Sequence, residues 1–227
     1  MSLIFIFFSI CVLSILVYAS ACIQSTIYHK SQCCFPTDKK EILLTFDDGI
    51  DSIQTPKVLE VLRKHQIKAC FFVIGNKIAA NESILQSMIN DGHIIGSHTY
   101  SHAIKGTFQL TNHIEKDMKF SIQKMEQIMG KVELFRPPFG VMNPHISKAI
   151  KQLNLKSIGW SIRSYDTRLE PHETVLQRIQ KKLHPGAILL LHDVLPNSEL
   201  LLEKVIHMIH ENGYTIVSPE SLKNVEK

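Results

Sequence analysis

Two histidines that can share a metal ion stand four residues apart, at the ends of the segment His98–His102. At that spacing two imidazoles face the same side of a helical turn. Two adjacent carboxylates, Asp47 and Asp48, follow the apolar run Ile42–Phe46 and are costly unless a cation lies beside them. One carboxylate and two histidines are a common catalytic zinc set that leaves a position open for water. We therefore predict that Asp48, His98 and His102 bind one divalent metal ion, most simply Zn²⁺.

An arginine is expected beside the other carboxylate. The segment Arg136–Gly140 reads Arg-Pro-Pro-Phe-Gly, in which the prolines fix the loop and the glycine permits a tight turn. Such a rigid loop can hold Arg136 against Asp47, which keeps that carboxylate ionised and oriented as a general base. The alternative for this segment is an ordinary loop with a surface arginine. The alternative for Asp47–Gly49 is a solvated turn, which is the commoner structure of an Asp-Asp-Gly sequence taken alone.

A third histidine, His192, comes directly after the apolar run Ala187–Leu191. An imidazole at the end of a buried strand is suited to act as a general acid at neutral pH. Asp166 lies in the preceding loop and can hydrogen-bond to His192 and keep it protonated. The alternative for each of these two residues is a capping or surface role.

All these residues follow short apolar runs, which alternate with helical patterns. Helix starts such as Asn143-Pro144 and helix stops such as Gly92 separate the runs. The runs suit buried parallel strands: Ile42–Phe46, Ala69–Ile74, His93–Ile95, Val132–Phe135, Lys156–Trp160, Ala187–Leu191 and Tyr214–Val217. About seven units predict an α/β fold, either a distorted (β/α) barrel or an open doubly wound sheet. In a barrel the chemistry lies at the carboxyl ends of the strands, where the candidate residues fall.

The N-terminal stretch Leu3–Ile23 is almost entirely apolar and long enough to cross a bilayer. A cleaved signal peptide is the alternative, because residues 19–21 read Ala-Ser-Ala. However, no Lys or Arg precedes the stretch, and it is longer than a typical signal core. We predict a membrane anchor or signal segment over residues 1–26, a linker over residues 27–40 and one domain over residues 41–221, outside the cytoplasm.

Composition excludes some classes of partner. The net charge is +4, and the Lys and Arg residues are spread along the chain, so nucleic acid is not an expected partner. The 227 residues suffice for one domain with a full core. The sequence does not fix the oligomeric state, and a monomer is the simplest expectation.

Taken in order, the motifs resemble those of the polysaccharide deacetylase family, that is, carbohydrate esterase family 4 or the NodB-homology domain. The resemblance spans roughly Glu41 to Val217. The segments Thr45–Gly49, His98–His102, Arg136–Gly140 and Leu190–His192 are similar to the first, second, third and fifth family motifs. Each motif alone is weak, but their joint order and spacing are highly specific.

The resemblance implies a distorted barrel, a divalent metal, usually zinc, and an N-acetylated glycan as substrate. It also implies that the Phe139 N–H helps to stabilise an oxyanion, that Leu190 lines the pocket for the acetyl methyl, and that Trp160 lies in the sugar groove. The peptidoglycan, chitin-like and exopolysaccharide classes of glycan remain open.

The fourth motif departs from the family pattern. Arg163 stands where an Asp is expected, Tyr165 replaces an Arg and Thr167 replaces a Trp, so only Asp166 matches. This puts the tuning of His192 and the shape of the sugar groove in question. Three alternatives stay open. The apolar N-terminal segment motivates a deformylase or deacetylase of a lipid-linked sugar, and the altered fourth motif is the support for a non-catalytic carbohydrate-binding relative. The third is a metal hydrolase of another amide.

Overall fold

The computed structural model describes residues 2–222, whose strands form one sheet in which all paired strands are parallel. The strands are β1 (Glu41–Asp47), β2 (Cys70–Val73), β3 (Ile94–Ser97), β4 (Leu134–Phe135), β5 (Lys156–Ser157), β6 (Ile162–Arg163), β7 (Ala187–His192) and β8 (Thr215–Ile216). The helices are α1 (Ser2–Ala21), α2 (Gln54–Lys64), α3 (Glu82–Asn90), α4 (Thr111–Met129), α5 (Pro144–Gln152), α6 (His172–Gln180) and α7 (Ser198–Glu211). The predicted alternation of strands and helices is confirmed.

The sheet has the order β5-β4-β3-β2-β1-β7-β6, and β8 pairs with the start of β1. Its two edge strands, β5 and β6, are joined only by residues 158–161. Six strand spacings of about 4.8 Å would put the edges of a flat sheet roughly 29 Å apart. The five Cα–Cα steps from Ser157 to Ile162 span at most about 19 Å. The sheet therefore curls into a distorted (β/α) barrel, which is one of the two architectures that the sequence left open.

One strand was not predicted. The sequence indicated a single strand over Lys156–Trp160, whereas the structure has the two-residue strand β5 there and a separate strand β6 after Trp160. Two residues are too few to give a periodicity signal, so β6 is recognised only from its pairing with β7.

Alternation along the central strands decides which side chains reach the site. In β1, Ile42 and Leu44 pack with residues of the helices, whereas Leu43 packs with Ile188 of β7 on the other face. Side chains of the same parity share a face, so Asp47 and His192 belong to the face of Leu43 and Ile188. The two residues are also register partners at the ends of neighbouring strands.

The N-terminal helix α1 carries a stretch, Ile4–Ala21, that is long and apolar enough to cross a membrane, with a mean hydropathy of 2.5. A signal sequence would have the same character. The residues after α1 contact the barrel. The Gln32 N–H donates to the Ser157 carbonyl at the edge strand β5 over 2.8 Å, and Phe35 is buried. The predicted linker 27–40 therefore touches the sheet over part of its length.

Candidate metal and acid–base site

Three side chains from two loops converge at the carboxyl edge of the sheet. Asp48, His98 and His102 each offer a ligand atom, and these atoms all lie within 4.8 Å of one another. Asp48 Oδ1 is 3.2 Å from His102 Nε2 and 3.5 Å from His98 Nε2. Ligands about 2.1 Å from a tetrahedral zinc ion lie about 3.4 Å from each other. The three residues therefore fit one shared ion.

The neutral state of the two histidines also suits metal binding. His98 Nδ1 lies 2.8 Å from the Arg136 carbonyl, which only accepts, so Nδ1 carries the proton and Nε2 presents its lone pair to Asp48. Burial lowers the pKa of His98 to about 3, although the charge of Asp48 opposes this. Burial also lowers the pKa of His102, and the negative charge of Asp48 again opposes this decrease. Both imidazoles are therefore neutral at physiological pH, which is the form that binds a metal.

The loop that carries these histidines is not the helical turn expected from the sequence. Residues 98–102 form a bend in which Thr99 and His102 have positive φ values of 67° and 49°. The Asp117 carboxylate accepts hydrogen bonds from the N–H groups of Tyr100 (2.9 Å) and Ser101 (3.2 Å). Two left-handed residues and one carboxylate from α4 therefore fix the loop in place of helical hydrogen bonds.

Arg136 is completely buried beside Asp47. Its Nη1 donates to Asp47 Oδ1 over 2.7 Å and to Thr45 Oγ1 over 2.9 Å. Its other nitrogens donate to the backbone carbonyls of Ile158 and Gly159. Burial raises the pKa of the Asp47 carboxyl, and the Arg136 charge opposes that rise. The second oxygen, Asp47 Oδ2, is turned to the metal ligands and lies 3.8 Å from His98 Nε2.

His192 is held by both oxygens of Asp166. Its Nδ1 lies 2.8 Å from Asp166 Oδ1, and its backbone N–H donates to Asp166 Oδ2 over 2.8 Å. Burial lowers the pKa of His192, but the hydrogen bond to Asp166 and the charges of Asp166, Asp47 and Asp48 together raise it above its ordinary value. His192 Nε2 lies 3.9 Å from Asp48 Oδ2. A histidine with a raised pKa is therefore placed beside the candidate metal ligands.

The three predicted substrate-binding residues lie on or under the same rim. Phe139 has a φ of 61°, the residue is 41% exposed, and its ring centroid is 4.7 Å from that of His102. Leu190 and Trp160 are buried in one apolar cluster. Of the three side chains, only Phe139 offers a large surface to a ligand.

Two carboxylates near the site were given no role from the sequence. Asp193 is fully buried, its Oδ2 accepts the Thr55 hydroxyl over 2.5 Å, and burial raises its pKa to about 7. A Cβ at Gly49 would lie 2.8 Å from Asp193 Oδ2, so glycine is required beside Asp48. The other is Asp117. The sequence contains one signal for this role: Asp117 lies three residues after Ile114, on the apolar stripe of α4 where an acidic residue is unusual.

A second group with metal-binding side chains lies elsewhere. His65 is the C-cap residue of α2, and Glu203 and His207 lie on α7. The Glu203 carboxylate is occupied there by Lys64 Nζ at 2.6 Å and by His65 Nε2 at 2.9 Å. The sequence assigned these histidines surface or structural roles. The group provides an internal control for metal-binding experiments.

The candidate ligand triad, the buried Arg–Asp pair and the Asp–His pair lie together on the carboxyl rim of the curled barrel, an arrangement suited to a metal-dependent hydrolase. Residues 35–158 match the polysaccharide deacetylase family model. The chain therefore belongs to the polysaccharide deacetylase family. Relatives in it are named as deacetylases of N-acetylated sugars, which are hydrolases of carbon–nitrogen bonds.

Similar proteins agree with this assignment. The chain is 32% identical over 191 residues to a peptidoglycan-N-acetylmuramic acid deacetylase of Bacillus subtilis, covering 82% of this chain and 72% of the relative. It is 32% identical over 168 residues to a chitooligosaccharide deacetylase of Azorhizobium caulinodans, covering 71% and 78%. The solved structure of a family 4 carbohydrate esterase of Bacillus subtilis aligns with a TM-score of 0.75 and 30% identity, covering 93% and 88%.

A family 4 pseudoenzyme from Bacillus anthracis also aligns, with a TM-score of 0.75 and 26% identity, covering 82% of this chain and 66% of that one. Similarity of fold therefore does not by itself decide whether a member is catalytic. That question turns on the individual side chains of the rim.

Proposed function

We propose that this protein is a zinc-dependent N-deacetylase of an N-acetylated glycan of the peptidoglycan, chitin-like or exopolysaccharide class. The observation that carries the proposal is the spacing of Asp48, His98 and His102 around one point, with Asp47 and His192 beside these residues. The names of the similar proteins support the substrate class. The presence of all three ligands, the base and the acid argues against a non-catalytic carbohydrate-binding role.

In the proposed reaction, Asp47 and His192 move protons in opposite directions. Asp47 Oδ2 accepts a proton from water while the water oxygen bonds to the amide carbon. Arg136 keeps Asp47 oriented through its other oxygen. The imidazolium Nε2 of His192 then donates its proton to the amide nitrogen as the carbon–nitrogen bond breaks, which releases acetate and a free amine.

A divalent metal ion held by Asp48, His98 and His102 would polarise the amide carbonyl and lower the pKa of a bound water toward neutrality. The Phe139 N–H is the proposed further donor to the developing oxyanion. Leu190 is proposed to contact the acetyl methyl, and Trp160 to lie under the sugar groove. The protein is proposed to act as a monomer, anchored to or secreted across the membrane, with its domain outside the cytoplasm.

The test is acetate release from a panel of N-acetylated oligosaccharides by the zinc-loaded protein. We expect a chelator to abolish release and added zinc to restore it. Asp47→Asn should lower kcat by about 10²- to 10⁴-fold, because general-base catalysis is lost. Its zinc content should stay at the parent level, since the metal ligands are untouched. Full deacetylation by Asp47→Asn would remove Asp47 from the role of base.

A further inference from the structure

The helix α1 ends at the same edge of the barrel as the metal ligands. The Ser20 carbonyl accepts the Met142 N–H over 2.9 Å, and the Gln24 side-chain amide donates to the Trp160 carbonyl over 3.2 Å. Met142 lies in the loop after β4, and Trp160 follows β5. Both loops therefore leave the carboxyl edge of the sheet, which also carries the site.

Only a few side chains separate the end of α1 from the site. The ring of the metal-ligand residue His102 contacts the ring of Phe139 at a centroid distance of 4.7 Å. The next residue, Gly140, packs against Ile23, so that a Cβ at Gly140 would lie 3.6 Å from Ile23 Cβ. The segment following α1 therefore contacts the catalytic rim directly, without a flexible spacer.

The rest of α1 leaves the domain. Ala19 in the last turn is 1% exposed, yet only 6% of the stretch Ile4–Ala21 is buried. Eighteen helical residues span about 27 Å, close to the hydrocarbon thickness of a bilayer. If this helix stays in the membrane, the docked last turn fixes which part of the barrel meets the lipid surface.

The exposed apolar side chains of the domain lie mainly at this same edge. Outside α1, the large exposed hydrophobic residues of the described chain are Ile27, Ile53, Ile104, Phe108, Leu110, Phe120, Phe139, Leu169 and Leu200. All but Ile27 and Phe120 lie in loops or first helical turns that follow the carboxyl ends of strands. A contiguous exposed apolar region is typical of an interaction surface. Because α1 ends at this same edge and is long and apolar enough to cross a membrane, the bilayer is the occupant that fits this region.

We propose that α1 is retained and holds the catalytic rim against the membrane, so that the preferred substrate is an N-acetylated sugar tethered at the bilayer surface. This inference rests on the proposed deacetylase function. The tethered sugar can be a lipid-linked saccharide or a glycan strand attached close to the membrane. A freely diffusing oligosaccharide would gain nothing from this placement.

The first experiment uses the full-length zinc-loaded protein in phosphatidylethanolamine/phosphatidylglycerol vesicles. Acetate release is measured for one N-acetylglucosamine oligomer supplied free in solution, attached to a polyprenyl lipid in the same vesicles, or as insoluble cell-wall glycan. The test variant carries about ten Gly/Ser residues inserted after Ala21, a spacer with a root-mean-square length of roughly 17 Å. The same spacer added after Lys227 is the matched control.

We expect the ratio of lipid-linked to free turnover to fall about tenfold with the spacer after Ala21, because the effective concentration at the site drops. The control spacer should leave the ratio unchanged, and free oligomer should be turned over equally by all three proteins. An unchanged ratio in both spacer variants would overturn the inference. Preference for the insoluble glycan over the lipid-linked sugar would identify the strand as the source. If none of the substrates releases acetate, the proposed function itself fails.

A second measurement tests the contact with lipid without using activity. Phe108→Trp places a fluorophore on the exposed loop after β3, and Lys182→Trp places one before β7 at the opposite edge. With lipids brominated near the headgroup, we expect extra quenching over the parent in Phe108→Trp and none in Lys182→Trp. Equal quenching in the two variants would contradict a membrane-facing rim.

Discussion

Replacing Asp166 by Asn tests how the predicted general acid is tuned. The Asp166 carboxylate accepts four hydrogen bonds. The donors are the Nδ1–H and backbone N–H of His192, the Ser164 hydroxyl and the Thr167 N–H. An asparagine of the same shape removes the negative charge and turns one NH₂ group toward a donor. Either the imidazolium loses its acceptor or a buried N–H loses its partner.

The magnitude follows from the type of hydrogen bond. A bond to a charged group contributes about 1.5–3 kcal/mol, and one pKa unit corresponds to about 1.4 kcal/mol, so the pKa of His192 should fall by about one to two units. The folded pKa of His192 is raised, so the acid is protonated below that pKa and is lost as pH rises through it. The alkaline limb of kcat/KM should therefore move to lower pH, and activity at neutral pH should drop.

The assay is the pH dependence of acetate release by the parent, Asp166→Asn and Ser164→Ala. Ser164→Ala is the matched control, because it removes a hydrogen bond from a neutral donor to the same carboxylate and leaves the charge of Asp166 in place. We expect a clear shift only in Asp166→Asn, with zinc content and thermal midpoint showing that the protein is folded. An alkaline limb that stays in place in Asp166→Asn would refute the assignment of Asp166 as the group that keeps His192 protonated.

Three further substitutions probe the surroundings of the site. Arg136→Met should lower the free energy of unfolding, measured in urea, by about 3–5 kcal/mol, because it leaves the Asp47 carboxylate buried without its partner. Adding Asp47→Asn to this variant should recover part of the lost stability. If the double variant recovers none, Arg136 and Asp47 are not paired as described. Asp117→Asn should weaken zinc binding about 10- to 100-fold, because the loop that carries His98 and His102 is held less firmly. A competition titration with a fluorescent chelator measures this affinity. An affinity equal to that of the parent protein would exclude a positioning role for Asp117. Gly140→Ala should lower the free energy of unfolding by about 2–4 kcal/mol, because φ at this residue is 72° and the new Cβ would lie 2.5 Å from the Trp160 side chain. An unchanged thermal midpoint would contradict this expectation.

Much of the barrel could be predicted because its central strands are buried on both faces. The apolar runs of β1 and β7 and the capping residue of α5, Asn143, carry clear local signals. The predicted site residues converge because they follow the carboxyl ends of parallel strands, and that edge is one rim in a curled sheet. Topology and strand ends were sufficient for this step.

What the sequence could not predict depends on contacts between distant segments. The curl of the sheet follows from the length of the link between β5 and β6, and β6 itself has only two residues. The bend at His98–His102 depends on Asp117, which lies 15 residues further on in α4. The docking of Ile23 beside Gly140 likewise joins segments for which local patterns give no signal.

The central claim is that Asp48, His98 and His102 bind one metal ion, and zinc content measures it most directly. The parent, Asp48→Asn, His98→Gln and His207→Gln are loaded with zinc, dialysed and analysed by inductively coupled plasma mass spectrometry. We predict one zinc per chain in the parent and in His207→Gln, which alters only the second histidine group, and strong loss in the other two variants. Retention of zinc in both Asp48→Asn and His98→Gln, or its loss in His207→Gln, would contradict the account.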